Sequence, residues 1–287
     1  MNALLAVMMM TAAPVELAAE IAAARKAHPE AFAQVAAIRR DADALYAKRR
    51  GGGVAPMGRT FKQLGPNALM PMLDALLNPE AEGGPVTEGG RLSLTIGLLD
   101  AVGTLRDPRA LPVLEALLDS RTESPGVTRA AADAYGFMQT DAVAARLVAL
   151  SRGGDARARA VREGMGSCRR VVVAQALAAA VPEVGEVREQ VELARTLGDV
   201  GNAWAWKTPS VVTRGEENEV RLIAARALVD AFLRWDGDAR QAASNALLVV
   251  DARDTVALIK NATAKATPEQ RAALERLEAR LATTPLR

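Results

Sequence analysis

Few residues in this chain are suited to chemistry. Cys168 is the only cysteine and His28 the only histidine. An internal disulfide, a zinc framework and a histidine metal cluster are therefore out of reach, and Cys-His or Ser-His catalysis has one histidine to draw on. His28 stands before Pro29 in a break between helices. Cys168 opens a predicted core helix, where a lone cysteine acts as a small apolar residue. The carboxylates Asp199, Asp236 and Asp238 lie near tryptophans in the sequence. Asp236 and Asp238 flank Gly237 and read more simply as a turn and a helix cap. No residue set points to an enzyme, and neither a metal nor a cofactor is expected.

Two groups suit binding better. Trp204 and Trp206 are two residues apart, a spacing that puts them on opposite sides of a strand and about 200° apart on a helix. With Gly201, Pro209 and Gly215 around them, they read as part of a loop. Tryptophan is enriched at interface hot spots, and loops on rigid scaffolds carry function. The pair is thus a candidate partner anchor, and the alternative is a plug filling a gap in the core. The second group is basic: Arg157, Arg159, Arg162, Arg169 and Arg170, set against Asp155 and Glu163. Joined by Arg39, Arg40, Lys48, Arg49, Arg50, Arg59 and Lys62, it could attract phosphates or an acidic partner. The alternative is a set of solvated faces and ordinary ion pairs. No aromatic residue interleaves with these arginines, which weakens a single-stranded nucleic-acid reading. A net charge of +2 gives no global pull toward nucleic acid or membrane.

The elements that position these residues are legible from composition and period. The 287 residues are 50% hydrophobic but only 3% aromatic. A core of Ala, Leu and Val suits closely packed helices better than a sandwich or barrel. An apolar residue followed by glycine recurs at Leu64-Gly65, Val102-Gly103, Tyr135-Gly136, Met165-Gly166 and Leu197-Gly198, at intervals of 38, 33, 30 and 32 residues. Leu76, Leu114, Leu147 and Leu177 each lie 11 residues after one of the first four glycines, and Pro209 holds that place after the fifth. Such self-similarity marks a repeat protein whose units bury their apolar faces against their neighbours. Each unit reads as helix, glycine, short turn, helix, with the glycine expected in the left-handed conformation that closes the first helix. Asp107-Pro108 and Ser124-Pro125 pair an N-cap with a proline at the first helical position, and Asp141 is expected to cap the second helix of repeat three.

The fifth repeat departs from the pattern. Trp206 falls where other repeats have Leu or Ala, and residues 199–218 read as a repeat without its second helix. Three further helices are expected over residues 219–235, 240–250 and 251–263. Thr267 to Gln270 form a capping box opening a last helix. Its charges Glu269, Arg271, Glu275, Arg276, Glu278 and Arg280 suit the polar end that a solenoid requires. The organisation expected is N-terminal helices over residues 1–50, a repeat array over 54–265 and a capping helix over 266–287, with Gly51-Gly52-Gly53 as a linker. The apolar run 3–10 is too short to span a bilayer. It has two readings: residues 1–13 are signal-like but lack a basic n-region, or the run is a helix capping the first repeat. The first reading places the protein in the cell envelope, the second in the cytoplasm.

The segments DPRALPVLEALL (107–118), GVTRAAADAYG (126–136) and EVRLIAARALVDAF (219–232) resemble HEAT repeats. The similarity is to the short bacterial kind also found in phycobilisome-lyase-type proteins: an Asp-Pro turn, a Leu-rich helix, then a Val-x-Arg-Ala-Ala helix. It covers roughly residues 57–264 and implies an all-α, right-handed α-solenoid of HEAT-like hairpins. In such arrays the second helices line the concave face, where Arg169 and Arg170 would sit. The resemblance implies a non-enzymatic scaffold or adaptor for a protein or peptide. Two alternatives stay open: a nucleic-acid-binding HEAT protein with glycosylase-like chemistry, and a lyase-like chaperone of a chromophore protein. The Trp, Asp and Arg motif of HEAT-fold glycosylases cannot be matched residue by residue, so no role is carried over from it.

Overall fold

The computed structural model describes residues 12–48, 57–79, 84, 87–121, 123–208 and 215–283. The apolar run 3–10, Gly51-Gly52-Gly53, Arg49, Arg50 and Pro209 lie outside them. Among the described residues every regular element is a helix. The chain divides into two compact units, Met1–Met138 and Gln139–Arg287.

The first unit holds α1 (Ala12–Ala27), α2 (Pro29–Arg40), α3 (Ala42–Ala47), α4 (Met57–Lys62), α5 (Leu69–Leu77), α6 (Glu88–Leu105), α7 (Leu111–Asp119) and α8 (Pro125–Gly136). A turn at Asp41 separates α2 from α3. In α5, Leu69, Met70, Met72, Leu73, Ala75 and Leu76 are all buried, because α1 and α2 pack against it from one hairpin and α6 from the next. The second unit holds α9 (Asp141–Leu150), α10 (Ala156–Gly164), α11 (Val171–Ala180), α12 (Val187–Val200), α13 (Glu217–Arg234), α14 (Gly237–Val250), α15 (Thr255–Thr263) and α16 (Pro268–Ala282).

Each unit is a stack in which a helix packs on the next but one. In the first unit α6 lies between α4 and α8. In the second, α12 lies between α10 and α14, forming one row, while α9, α11, α13 and α15 follow one another in the other row. This two-row stacking is the α-solenoid architecture implied by the repeat period. Its local signals also follow the sequence. Asp107 accepts from the Arg109 N–H, Ser124 from the Val127 N–H, and Thr267 and Gln270 make both bonds of the capping box. At α9 the cap is Thr140, which accepts from the Val143 N–H, and Asp141 is the first helical residue instead. Cys168 lies fully buried in the turn before α11 and does not open it.

The glycines do a different job from the one expected. Of the five in the series only Gly65 has a positive φ, 72°. The other four do not have positive φ, and Gly103, Gly166 and Gly198 supply room instead. A Cβ on Gly103 would lie 2.6 Å from Ala134 Cα on α8, and one on Gly166 would lie 2.7 Å from Asp199 Cβ on α12. Consecutive helices of one row cross at the glycine, and a methyl group would force them apart. The left-handed closures fall to Arg106 after α6 and Asp251 after α14, with φ of 54° and 40°. The partner leucines Leu114, Leu147 and Leu177 are all fully buried.

The fifth repeat keeps its second helix. By its neighbours, α13 takes the place after α11 in the row of second helices, so residues 201–216 are an insertion ahead of a helix that arrives late. The segment 219–232, which resembles the first helix of a repeat in sequence, is therefore a second helix in position.

Candidate functional groove on the second unit

The row α9, α11, α13 carries a groove of about 1200 Å³. Its floor is small and apolar: Ala145 and Val148 from α9, and Val172, Ala176 and Ala179 from α11. Val172 is 48% exposed, one of only three large hydrophobic residues exposed among the described residues. An apolar floor left open to water is the kind of surface that marks a binding groove.

Charges collect at the two ends. At the start of α9 and α11 stand Asp141, Arg170, Glu216 and Glu219, and past their far ends stand Ser151, Arg152, Arg162 and Glu183. The first cluster is also structural. Arg170, the N-cap of α11, offers that helix no side-chain acceptor. Glu216 supplies one from a distant stretch of chain: its carboxylate accepts from the Val171 N–H at 2.8 Å and from Arg170 Nε at 2.8 Å. Arg170 also donates to the Gln139 carbonyl at 2.9 Å and to the Asp141 carboxylate. Burial works to lower the Arg170 pKa. Its hydrogen bond to Asp141 and the charge of Glu216 more than reverse this, holding the group above arginine's ordinary range. Glu219 is exposed on α13 and leaves the cluster open to a cation.

The predicted basic group is largely used by the fold. Arg159 pairs with Glu189 at 2.6 Å and donates to the Gly154 carbonyl. Arg162 donates to the Gly153 and Ser151 carbonyls beyond α9, Arg169 donates to the Ser167 carbonyl at 3.3 Å, and Arg157, half-buried on α10, is also engaged. Arginine closes helix ends elsewhere too: Arg39 donates to the Asn78 and Pro79 carbonyls after α5, and Arg221 to those of Val250 and Asp251 after α14. The fork of the guanidinium suits it to such paired carbonyls. Of the five predicted arginines, the structure brings Arg162 and Arg170 to the groove, and the others line it nowhere.

The tryptophans separate. Trp206 is 1% exposed and its indole N–H donates to the Val200 carbonyl at 3.2 Å. Trp204 is 56% exposed, with Lys207 Nζ 3.8 Å from its ring centroid. Asn202 Oδ1 accepts from the N–H groups of Trp204 and Ala205, and the Ala203 N–H donates to the Val249 carbonyl, tying the insertion to α14. Neither tryptophan lines the groove. Reading the sequence missed Val172, Glu216 and Glu219. Val172 is one of an unbroken Val171-Val172-Val173 run with no polar neighbour to mark it as outward, and Glu216 gains its role only through a contact across 45 residues.

Among the described residues no group of three or more His, Cys, Asp or Glu side chains is placed to hold a metal, and no helix is long and apolar enough to cross a membrane. No protein-family model matches the chain, and no curated protein does. Among solved structures it is similar to human deoxyhypusine hydroxylase in complex with glycerol, at 15% identity and a TM-score of 0.32, over 84% of this chain and 96% of that one.

Proposed function

We propose that the chain is a non-enzymatic helical-repeat adaptor of the HEAT-like kind, whose second unit docks a peptide segment in the groove over α9 and α11. The observation that carries this reading is the floor of Val172, Ala176 and Ala179, with Val172 and Ala179 exposed, between a predominantly acidic and a predominantly basic end. Side chains this small leave depth for bulky ones, so the segment carries leucine- or phenylalanine-sized residues at its centre. A lysine or arginine at one end meets Asp141, Glu216 and Glu219. An acidic residue at the other meets Arg152, which has no ion pair among the described residues. Engagement of the five predicted arginines within the fold weighs for such a peptide over a polyphosphate partner.

Selection from a random peptide display library against the full chain tests the reading. Enriched peptides are expected to combine bulky apolar and basic residues. Their affinity should fall about tenfold or more in Val172→Asp, which places an unpaired charge in the apolar contact. It should be unchanged in Val187→Asp, at an exposed valine outside the groove. Peptides indifferent to Val172→Asp would remove the groove from consideration.

A further inference from the structure

A second concavity, of about 310 Å³, lies where the end of α13, the first turns of α14 and one face of α16 meet. Three arginines from two helices line it: Arg240 from α14, and Arg276 and Arg280 from α16. Two of these guanidiniums are held in place by the protein. Arg240 donates to the Phe232 and Trp235 carbonyls at 3.1 and 2.8 Å, pairs with the exposed Asp236 at 2.6 Å, and lies 5.7 Å from the centre of the Phe232 ring. Arg280 donates to Ser244 Oγ at 2.6 Å and to Asn245 Oδ1 at 2.7 Å. Arg276 is exposed and makes no hydrogen bond or ion pair among the described residues. Its helical neighbours at three and four residues are Ala272, Ala273, Ala279 and Arg280, so α16 gives it no carboxylate and sets a like charge beside it, a spacing that costs stability in an isolated helix. Ordinary solvation of an exposed helix accounts for charge here. It does not account for three guanidiniums around one space floored by Phe232, Ala273 and Leu277.

We infer that this concavity is a binding site for a phosphomonoester: a phosphoryl group held by Arg240, Arg276 and Arg280, with an apolar body against Phe232 and Leu277. A phosphoryl dianion offers three oxygens to three forked donors, where a carboxylate offers two and half the charge. The fixed orientations of Arg240 and Arg280 lower the ordering cost of binding. The site lies between α14 and α16 and does not depend on the peptide groove.

Titration of the full chain with phenyl phosphate, inorganic phosphate and benzoate, followed by calorimetry at low ionic strength, tests the inference. Phenyl phosphate is expected to saturate one site and to bind more tightly than either fragment. Its dissociation constant should rise about tenfold or more in Arg276→Ala and in Arg280→Ala, the scale of one charge-assisted hydrogen bond. Arg276→Lys, which keeps the charge and loses the fork, should fall between. Arg226→Ala, exposed on α13 and outside the concavity, should bind as the parent does. Inorganic phosphate binding without a gain from the phenyl ring would overturn the apolar half of the site, and benzoate binding as tightly as phenyl phosphate would overturn the phosphoryl half. No saturable binding, or loss in Arg226→Ala to the same extent, would overturn the whole.

Discussion

The connection between α10 and α11 and the one between α12 and α13 join the two rows of the same solenoid by different means. The first, residues 165–170, is short, and Met165, Gly166, Ser167 and Cys168 are all buried within it. The second, residues 201–216, sends one large side chain inward and another outward within three residues. The two connections end against each other. Arg170, the last residue of the first, pairs with Glu216, the last of the second, and Glu216 caps the helix that Arg170 introduces. A repeat array can therefore absorb an insertion without losing a helix, provided the added segment is tied down where it leaves and where it returns. Trp204 faces out beside the first of these ties.

The largest expected effect comes from the tie at the departure. Trp206→Ala removes a fully buried indole and the hydrogen bond to the Val200 carbonyl. Emptying a site of that size costs about 3–5 kcal/mol. Denaturant unfolding is expected to show the loss in a lowered midpoint. A midpoint within error of the parent would mean that the insertion packs no more firmly than a surface loop, and the comparison of the two connections would fail.

The tie at the return is smaller. Glu216→Ala leaves the Val171 N–H uncapped and takes one of two carboxylates from Arg170, whose side chain is only 14% exposed. Hydrogen bonds to charged groups set the scale at about 1.5–3 kcal/mol. Asp141, whose carboxylate is 89% exposed, should cost less when replaced by alanine, because solvent already screens it. A double-mutant cycle between positions 170 and 216 isolates the pair itself. Coupling near zero would reduce the meeting of the two connections to coincidence.

How much of this was legible beforehand depends on the range over which each residue acts. The period, the caps at Asp107, Ser124 and Thr267, and the buried leucines are local signals, repeated or placed within a turn of their target. Gly103 and Gly166 were visible as a series, yet their reason was not. A left-handed closure is a property of one residue's backbone, whereas close approach to Ala134 or Asp199 depends on a helix about thirty residues further on. The late second helix of repeat five escaped for a related reason. Its sequence, 219–232, is that of a first helix, and only packing against α11 and α12 assigns its row. The groove was half visible: Arg162 and Arg170 stood out by charge, while Val172 and Glu216 carry no mark until the fold sets them side by side.

Trp204 gives the smallest effect on stability. Its ring is more than half exposed, and the contact with Lys207 is of the exposed cation–π kind, worth about 0.5–1 kcal/mol. Trp204→Ala should accordingly shift the unfolding midpoint by no more than about a third of what Trp206→Ala does. The same substitution should remove most of the fluorescence that acrylamide quenches, since Trp206 and Trp235, the other tryptophans of the chain, are buried. A large stability loss from Trp204→Ala would mean that both rings serve the core, as a plug on either side of the inserted turn. A small loss with the quenchable signal gone leaves an aromatic ring held outward by an anchored loop at no benefit to the fold.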